Sequence, residues 1–101
     1  MTRRLVIQPQ AEMDVADAVV WYEDERAGLG NQLLDEIGPV MERVAHSPFQ
    51  FPQIRNEVRR ALLHRFPYSV YFRVSDETVD IIAVLHQHRD PKTWQKRIIA
   101  G

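Results

Sequence analysis

Near the end of the chain, three apolar runs are joined by connections too short for anything but a turn. "VRRALLH" (residues 58–64), "YSVYFRV" (68–74) and "TVDIIAVLH" (78–86) are separated only by "RFP" and "SDE". Parallel neighbours need a crossover of a dozen or more residues, so these runs predict an antiparallel meander. Tyr68, Val70, Phe72 and Val74 alternate with Ser69, Tyr71 and Arg73, which predicts one apolar face and one mixed face.

The apolar face needs a cover, and the first half of the chain has the periodicity to supply one. Ala11, Val15, Ala18, Val19 and Tyr22 step at three and four from a start at Pro9, with Glu12, Asp14 and Asp17 among the polar positions, predicting a helix to about Glu25. "RAGLGN" (26–31) ends it. Leu29, Leu33, Ile37, Val40 or Met41, and Val44 then predict a second helix to about Ala45, antiparallel to the first. Gly38-Pro39 inside that stripe predicts one kinked helix rather than two.

"RRLVIQ" (3–8) reads as a first strand and "HSPFQFPQIRNE" (46–57) as a loop. Asp90 reads as the cap, and Pro91 as the first residue, of a short last helix through Trp94 and Ile98. The order is β-α-α-β-β-β-α, an α+β two-layer fold. The helical hairpin packs on one face of an antiparallel sheet, strand 1 lies at or beside the meander, and part of the opposite face stays free for a partner.

The 101 residues, 45% apolar, suffice for one core and not two, so residues 1–101 form a single domain. No run reaches the roughly 18 to 20 apolar residues of a membrane span, and no leader-like stretch precedes Pro9, which predicts a soluble, unprocessed chain. Cysteine is absent, excluding a disulfide framework and a thiolate metal site and fitting a cytoplasmic protein. Residues 1–53 hold 4 basic and 9 acidic residues (net −5), and residues 54–101 hold 9 basic and 5 acidic (net +4). The second half is the candidate face for an anionic partner, unless the halves neutralise each other across the fold.

Four groups of residues could carry chemistry. Arg59, Arg60, Arg65, Arg73 and Arg89 offer planar forks for phosphate or carboxylate, but alternation puts Arg59 and Arg65 on the side of Ala61 and Leu63 and Arg60 on the other. Alternatively, such arginines are solvated charges that keep strand edges from pairing. His64, His86 and His88 could act as acid or base in metal-free phosphodiester cleavage; His86 and His88 lack a third ligand, so no metal site is assigned. Among the aromatics most belong to the core, while Tyr71 and Trp94 are the pair free to stack on a base or grip a partner. "WYEDERAGLG" reads as an acidic hairpin tip, either a solvated helix end or a contact for a large protein target.

Taken together, the "A…A…WYE" helix, the "G…LLDEI…V" helix, the "SP…FP" loop, "RFPYSVYFRV" and "AVLHQHRDP..W" resemble the toxins of the ParE/RelE superfamily of type II toxin–antitoxin systems. The resemblance covers nearly the whole chain. It implies a small growth-inhibiting toxin of a plasmid-stabilisation-like system, needing no cofactor and neutralised by a cognate antitoxin that links it indirectly to DNA. RelE-like members cut mRNA on the ribosome, whereas ParE-like members inhibit DNA gyrase without chemistry. No lysine occurs before Lys92, and the chain runs past His86 without a terminal tyrosine, which favours the ParE-like branch. On that branch Arg60, Arg65, Arg89 and Trp94 would bind the target. On the RelE-like branch His86 would be acid or base, with Arg65 and Arg73 on phosphate and Glu57 as partner base.

Overall fold

In the computed structural model, which describes the backbone of residues 2–100 and the side chains of residues 2–98, the strands are β1 (Arg4–Ile7), β2 (Gln53–Arg55), β3 (Val58–Leu62), β4 (Tyr68–Val74) and β5 (Thr78–His86). Met1 and Gly101, the ends of the expected domain, lie outside the described residues. The strands form one sheet in the order β1-β5-β4-β3-β2. The meander β3-β4-β5 is antiparallel, as its short connections require, and β1 pairs in parallel with β5 from Arg4 opposite Thr78 to Ile7 opposite Ile81. Because β1 ends there, the second half of β5 has no strand neighbour on that side.

Helices α1 (Pro9–Glu25) and α2 (Leu29–His46) follow β1 and cover one sheet face. Ala11, Leu33, Ile37, Val40 and Val44 meet Val70, Phe72, Ile81 and Val84 there, so the α+β two-layer expectation holds. The helix α2 runs unbroken through Gly38 and Pro39, both exposed, so the hydrogen bond lost at proline faces water. Gly30 brings the helices close: a methyl group there would lie 2.9 Å from Val19 and Glu23 side-chain atoms and 3.0 Å from the Val19 carbonyl. The Glu23 carboxylate accepts the N–H groups of Gly28 (2.9 Å) and Gly30 (3.0 Å), capping the start of α2. The acidic hairpin tip thus contains a structural cap.

β5 is apolar on both faces and carries a bulge. Tyr71 faces Ala83 and Phe72 faces Ile81, leaving Ile82 as the extra residue. Past that point Ile82, Ala83 and Leu85 join a second core with Val58, Tyr71 and Trp94, under α3 (Lys92–Ala100) on the face away from the hairpin. Asp90 caps α3 as expected, its Oδ1 accepting the Lys92 N–H at 2.9 Å.

Residues 46–57 are not only loop. A 3-10 turn (Pro48–Gln50) leads into β2, which pairs with β3. Asn56 and Glu57 join the two strands with φ of 50° and 65°, the left-handed conformations that match hairpin twist. Asparagine accepts that conformation readily, whereas glutamate is strained by its Cβ. Glu57→Gly is therefore expected to stabilise the protein by about 1 kcal/mol. Gly30→Ala is expected to destabilise it by about 1 to 3 kcal/mol, since the Val19 backbone cannot yield. Urea denaturation of both variants checks the pair, and opposite signs are required.

Candidate functional site

The unpaired half of β5 is closed by side chains. From α1, Asp14 accepts the Val84 N–H with Oδ2 at 3.0 Å. From α3, Arg97 donates to the Ile82 carbonyl at 3.2 Å and grips Asp14 with both terminal nitrogens, at 2.6 and 3.0 Å. The pair occupies the place of a missing strand, and both side chains are largely buried. Its bidentate geometry and two backbone bonds satisfy the groups that burial would otherwise penalise.

Beside this pair lies an open groove of about 1190 Å³ between the start of α1, the sheet and α3. Met13, Ile82 and Ile98 give it apolar surface. Asp14 and Asp17 line the α1 wall, Arg89, Lys92, Lys96 and Arg97 the opposite side, and Arg73 with its cross-strand neighbour Asp80 the sheet. Met13 is 61% exposed, so this apolar wall faces solvent.

The four residues expected for a nuclease are not brought together. His86 is opposite Tyr68 and Arg73 lies five residues further along β4, about 17 Å at strand rise. Glu57 sits in the β2–β3 turn beside Val58, which is paired with Arg73, so these two belong to one end of the sheet. Arg65 belongs to the other end, in the β3–β4 connection, with its guanidinium on Gln32 at 2.7 Å. His86 packs edge-on to Tyr68 at 5.5 Å, and its Nδ1 accepts the His88 N–H at 3.1 Å, which leaves the neutral ring's proton on Nε2. Burial raises the Tyr22 hydroxyl above its usual range. It does the same for Tyr68, aided by Tyr22 and opposed by Arg89, so neither is a phenolate base at neutral pH.

The expected target-binding set also divides. Arg60 lies on the α3 face, Arg65 on the helix side beyond the end of β3, and Arg89 at the groove rim in the turn closed by its N–H to the His86 carbonyl. Trp94 departs from expectation. It is 5% exposed and stacks on Tyr71 with ring centroids 5.3 Å apart, so neither ring is free to grip a partner. The two rings are the apolar floor that holds α3 to the sheet. Trp21 and Phe49 are exposed instead, Phe49 between the guanidiniums of Arg3 and Arg59, each 5.1 Å from its centre.

Sequence reading missed Asp14, Arg97 and Glu36. Asp14 read as an ordinary polar residue of α1, and its partner lies 83 residues away. Glu36 reaches from α2 to accept the N–H groups of His64, Arg65 and Phe66, a cradle that anchors the β3–β4 connection. Partial burial works against its charge, but those three N–H groups and the nearby His64 outweigh it and hold the carboxyl below its ordinary value. Among the described residues, no three His, Asp or Glu side chains stand close enough to hold a metal ion, and no helix is long and apolar enough to cross a membrane.

Comparison with known proteins fits this architecture. The family model described as "ParE toxin of type II toxin-antitoxin system, parDE" matches residues 5–91, from β1 to the threshold of α3. The chain belongs to the ParE toxin family. Toxin ParE2 of Mycobacterium tuberculosis, in strains CDC 1551 and H37Rv alike, is 30% identical over 99 residues, covering 97% of this chain and 94% of the relative. A solved structure of the chromosomal ParDE TA system from P. aeruginosa matches with TM-score 0.75 at 19% identity, over 84% of this chain and 96% of the other, and shares the fold. Of the two superfamily branches, this ParE chain therefore sits on the expected one.

Arg97→Ala in this ParE-family chain is expected to cost about 3 kcal/mol, because it strands the Asp14 charge and the Ile82 carbonyl. Asp14→Ala/Arg97→Ala should cost less than the two single changes summed, as a denaturation double-mutant cycle would read. Glu36 stabilises when ionised, so its contribution is full at neutral pH and lost as pH falls through its lowered value. Glu36→Gln should flatten the decline of Tm below about pH 4; an unchanged acid limb would contradict the assignment.

Proposed function

We propose that this chain is the toxin of a type II toxin–antitoxin pair, that it inhibits growth by gripping DNA gyrase, and that a cognate antitoxin neutralises it. The groove between α1 and α3 is the observation that carries the antitoxin reading. Apolar Met13, Ile82 and Ile98, flanked by acids on one wall and bases on the other, suit an amphipathic partner segment. Such a partner would bring any DNA contact with it; a near-neutral chain gives direct DNA binding no support.

Binding without chemistry is supported by the separation of the would-be catalytic residues. An acid–base group must come within hydrogen-bonding reach of the proton it moves while a cation holds the phosphate. His86 and Arg73, about 17 Å apart along β4, do not meet that demand at one phosphate. The target contact falls to the exposed arginines Arg65 and Arg89, while Arg60, half-buried on the α3 face, stands apart from them and Trp94 contributes only by seating α3. A gyrase target implies action in the cytoplasm and no cofactor.

The test is supercoiling by purified gyrase with this protein added, run beside ribosome-programmed mRNA. Inhibited supercoiling with intact mRNA is expected, and Arg65→Glu/Arg89→Glu should weaken inhibition by about tenfold or more. Codon-positioned mRNA cuts with normal supercoiling, abolished by His86→Gln, would instead establish the RelE-like reading.

A further inference from the structure

The groove beside the Asp14–Arg97 pair has walls of different origin. Its α1 wall and its sheet floor fall within residues 5–91, the stretch that the ParE family model matches, whereas α3 begins at Lys92. The α3 wall therefore lies outside the shared pattern and is free to differ between family members, as discrimination between their partners requires. On it Lys92 and Lys96 are exposed and stand one turn apart, about 6 Å along the helix axis. The one ion pair among the described residues joins Arg97 to Asp14, so neither lysine has an acidic partner there. Asp90 is turned instead to the Lys92 main-chain N–H. Across the groove the exposed Asp17 is equally without a cation.

Three kinds of occupant fit this arrangement poorly. The groove, at about 1190 Å³, exceeds the roughly 300 to 1,000 Å³ of a small-molecule pocket. A nucleic acid strand would carry its phosphates past Asp17 as well as past the lysines. An extended peptide would have to pair with the open side of β5, where the Val84 N–H and the Ile82 carbonyl are already bonded to Asp14 and Arg97. A helix satisfies its own backbone and needs neither group.

We infer that Lys92 and Lys96 choose the partner: the groove takes a helix, not a strand, whose edge along α3 is acidic and whose edge along α1 is basic. Carboxylates one turn apart on that helix meet the two lysines, a lysine or arginine on its other edge meets Asp17, and aliphatic residues between them cover Met13, Ile82 and Ile98. Edges of the wrong sign are rejected by like-charge contact. Turning a helix end for end exchanges its edges, so the two wall charges also fix the direction in which it lies. This rests on the antitoxin reading of the groove and names the chemistry of the segment it accepts.

The probes are three fluorescein-labelled peptides with one aliphatic seam and different edges: mixed (LKELAKELKELAKEL), acidic (LEELAEELEELAEEL) and basic (LKKLAKKLKKLAKKL). Anisotropy reads their binding to the full chain. The mixed peptide is expected to bind tightest and the basic one about tenfold more weakly, and Lys92→Glu/Lys96→Glu should move the basic peptide ahead of the acidic one. Proline at both alanines of the mixed peptide should abolish binding. Retained binding would mean an extended occupant and overturn the proposal, as would displacement of the mixed peptide by oligouridylate. Equal affinities, or an order that Lys92→Glu/Lys96→Glu leaves unchanged, would overturn the charge rule while the groove stays a partner site. Binding by none of the three, or binding that Met13→Asp leaves intact, would overturn the groove reading with it. Gyrase does not enter this measurement.

Discussion

The ion pair between Asp14 and Arg97 is the constraint on which the rest of the structure depends. β1 covers only the first half of β5, and the other half would otherwise leave backbone donors and acceptors open at a sheet edge. A carboxylate from α1 takes the Val84 N–H, and a guanidinium from α3 takes the Ile82 carbonyl. The same contact fixes both helices to the same strand, one on each side of the sheet edge. The groove beside it exists because its walls are pinned at that point. The Tyr71–Trp94 stack then settles α3 against the sheet behind the pair.

Much of this was legible in the sequence, and the exceptions have physical reasons. The meander, the hairpin and the capped last helix declared themselves because alternation, three-four spacing and Asp-Pro are local signals. β2 did not: it is three residues long, follows Pro52, and turns through Asn56-Glu57 without a glycine. The bulge at Ile82 was hidden because a run apolar on both faces has no alternation to break. Asp14 with Arg97, and Glu36 with the His64–Phe66 amides, are contacts between distant segments that no local pattern encodes. Trp94 misled for a related reason. An aromatic residue on a short terminal helix looks available until the sheet residue beneath it is known to be Tyr71.

The groove is wide, mixed in charge and partly apolar, suited to an amphipathic segment held over a large area. The histidines at the end of β5 lie outside it, since His86 is committed to Tyr68 and to the turn through His88.

Whether the chain acts by occupancy or by turnover is the central question, and a titration answers it most directly. Fixed gyrase at a concentration well above the dissociation constant is incubated with increasing amounts of this protein, and residual supercoiling is followed over time. Occupancy predicts a linear loss that ends near one toxin per target site and does not progress with longer incubation. Progressive loss of activity at a small fraction of equivalence would mean catalysis, and it would contradict the account.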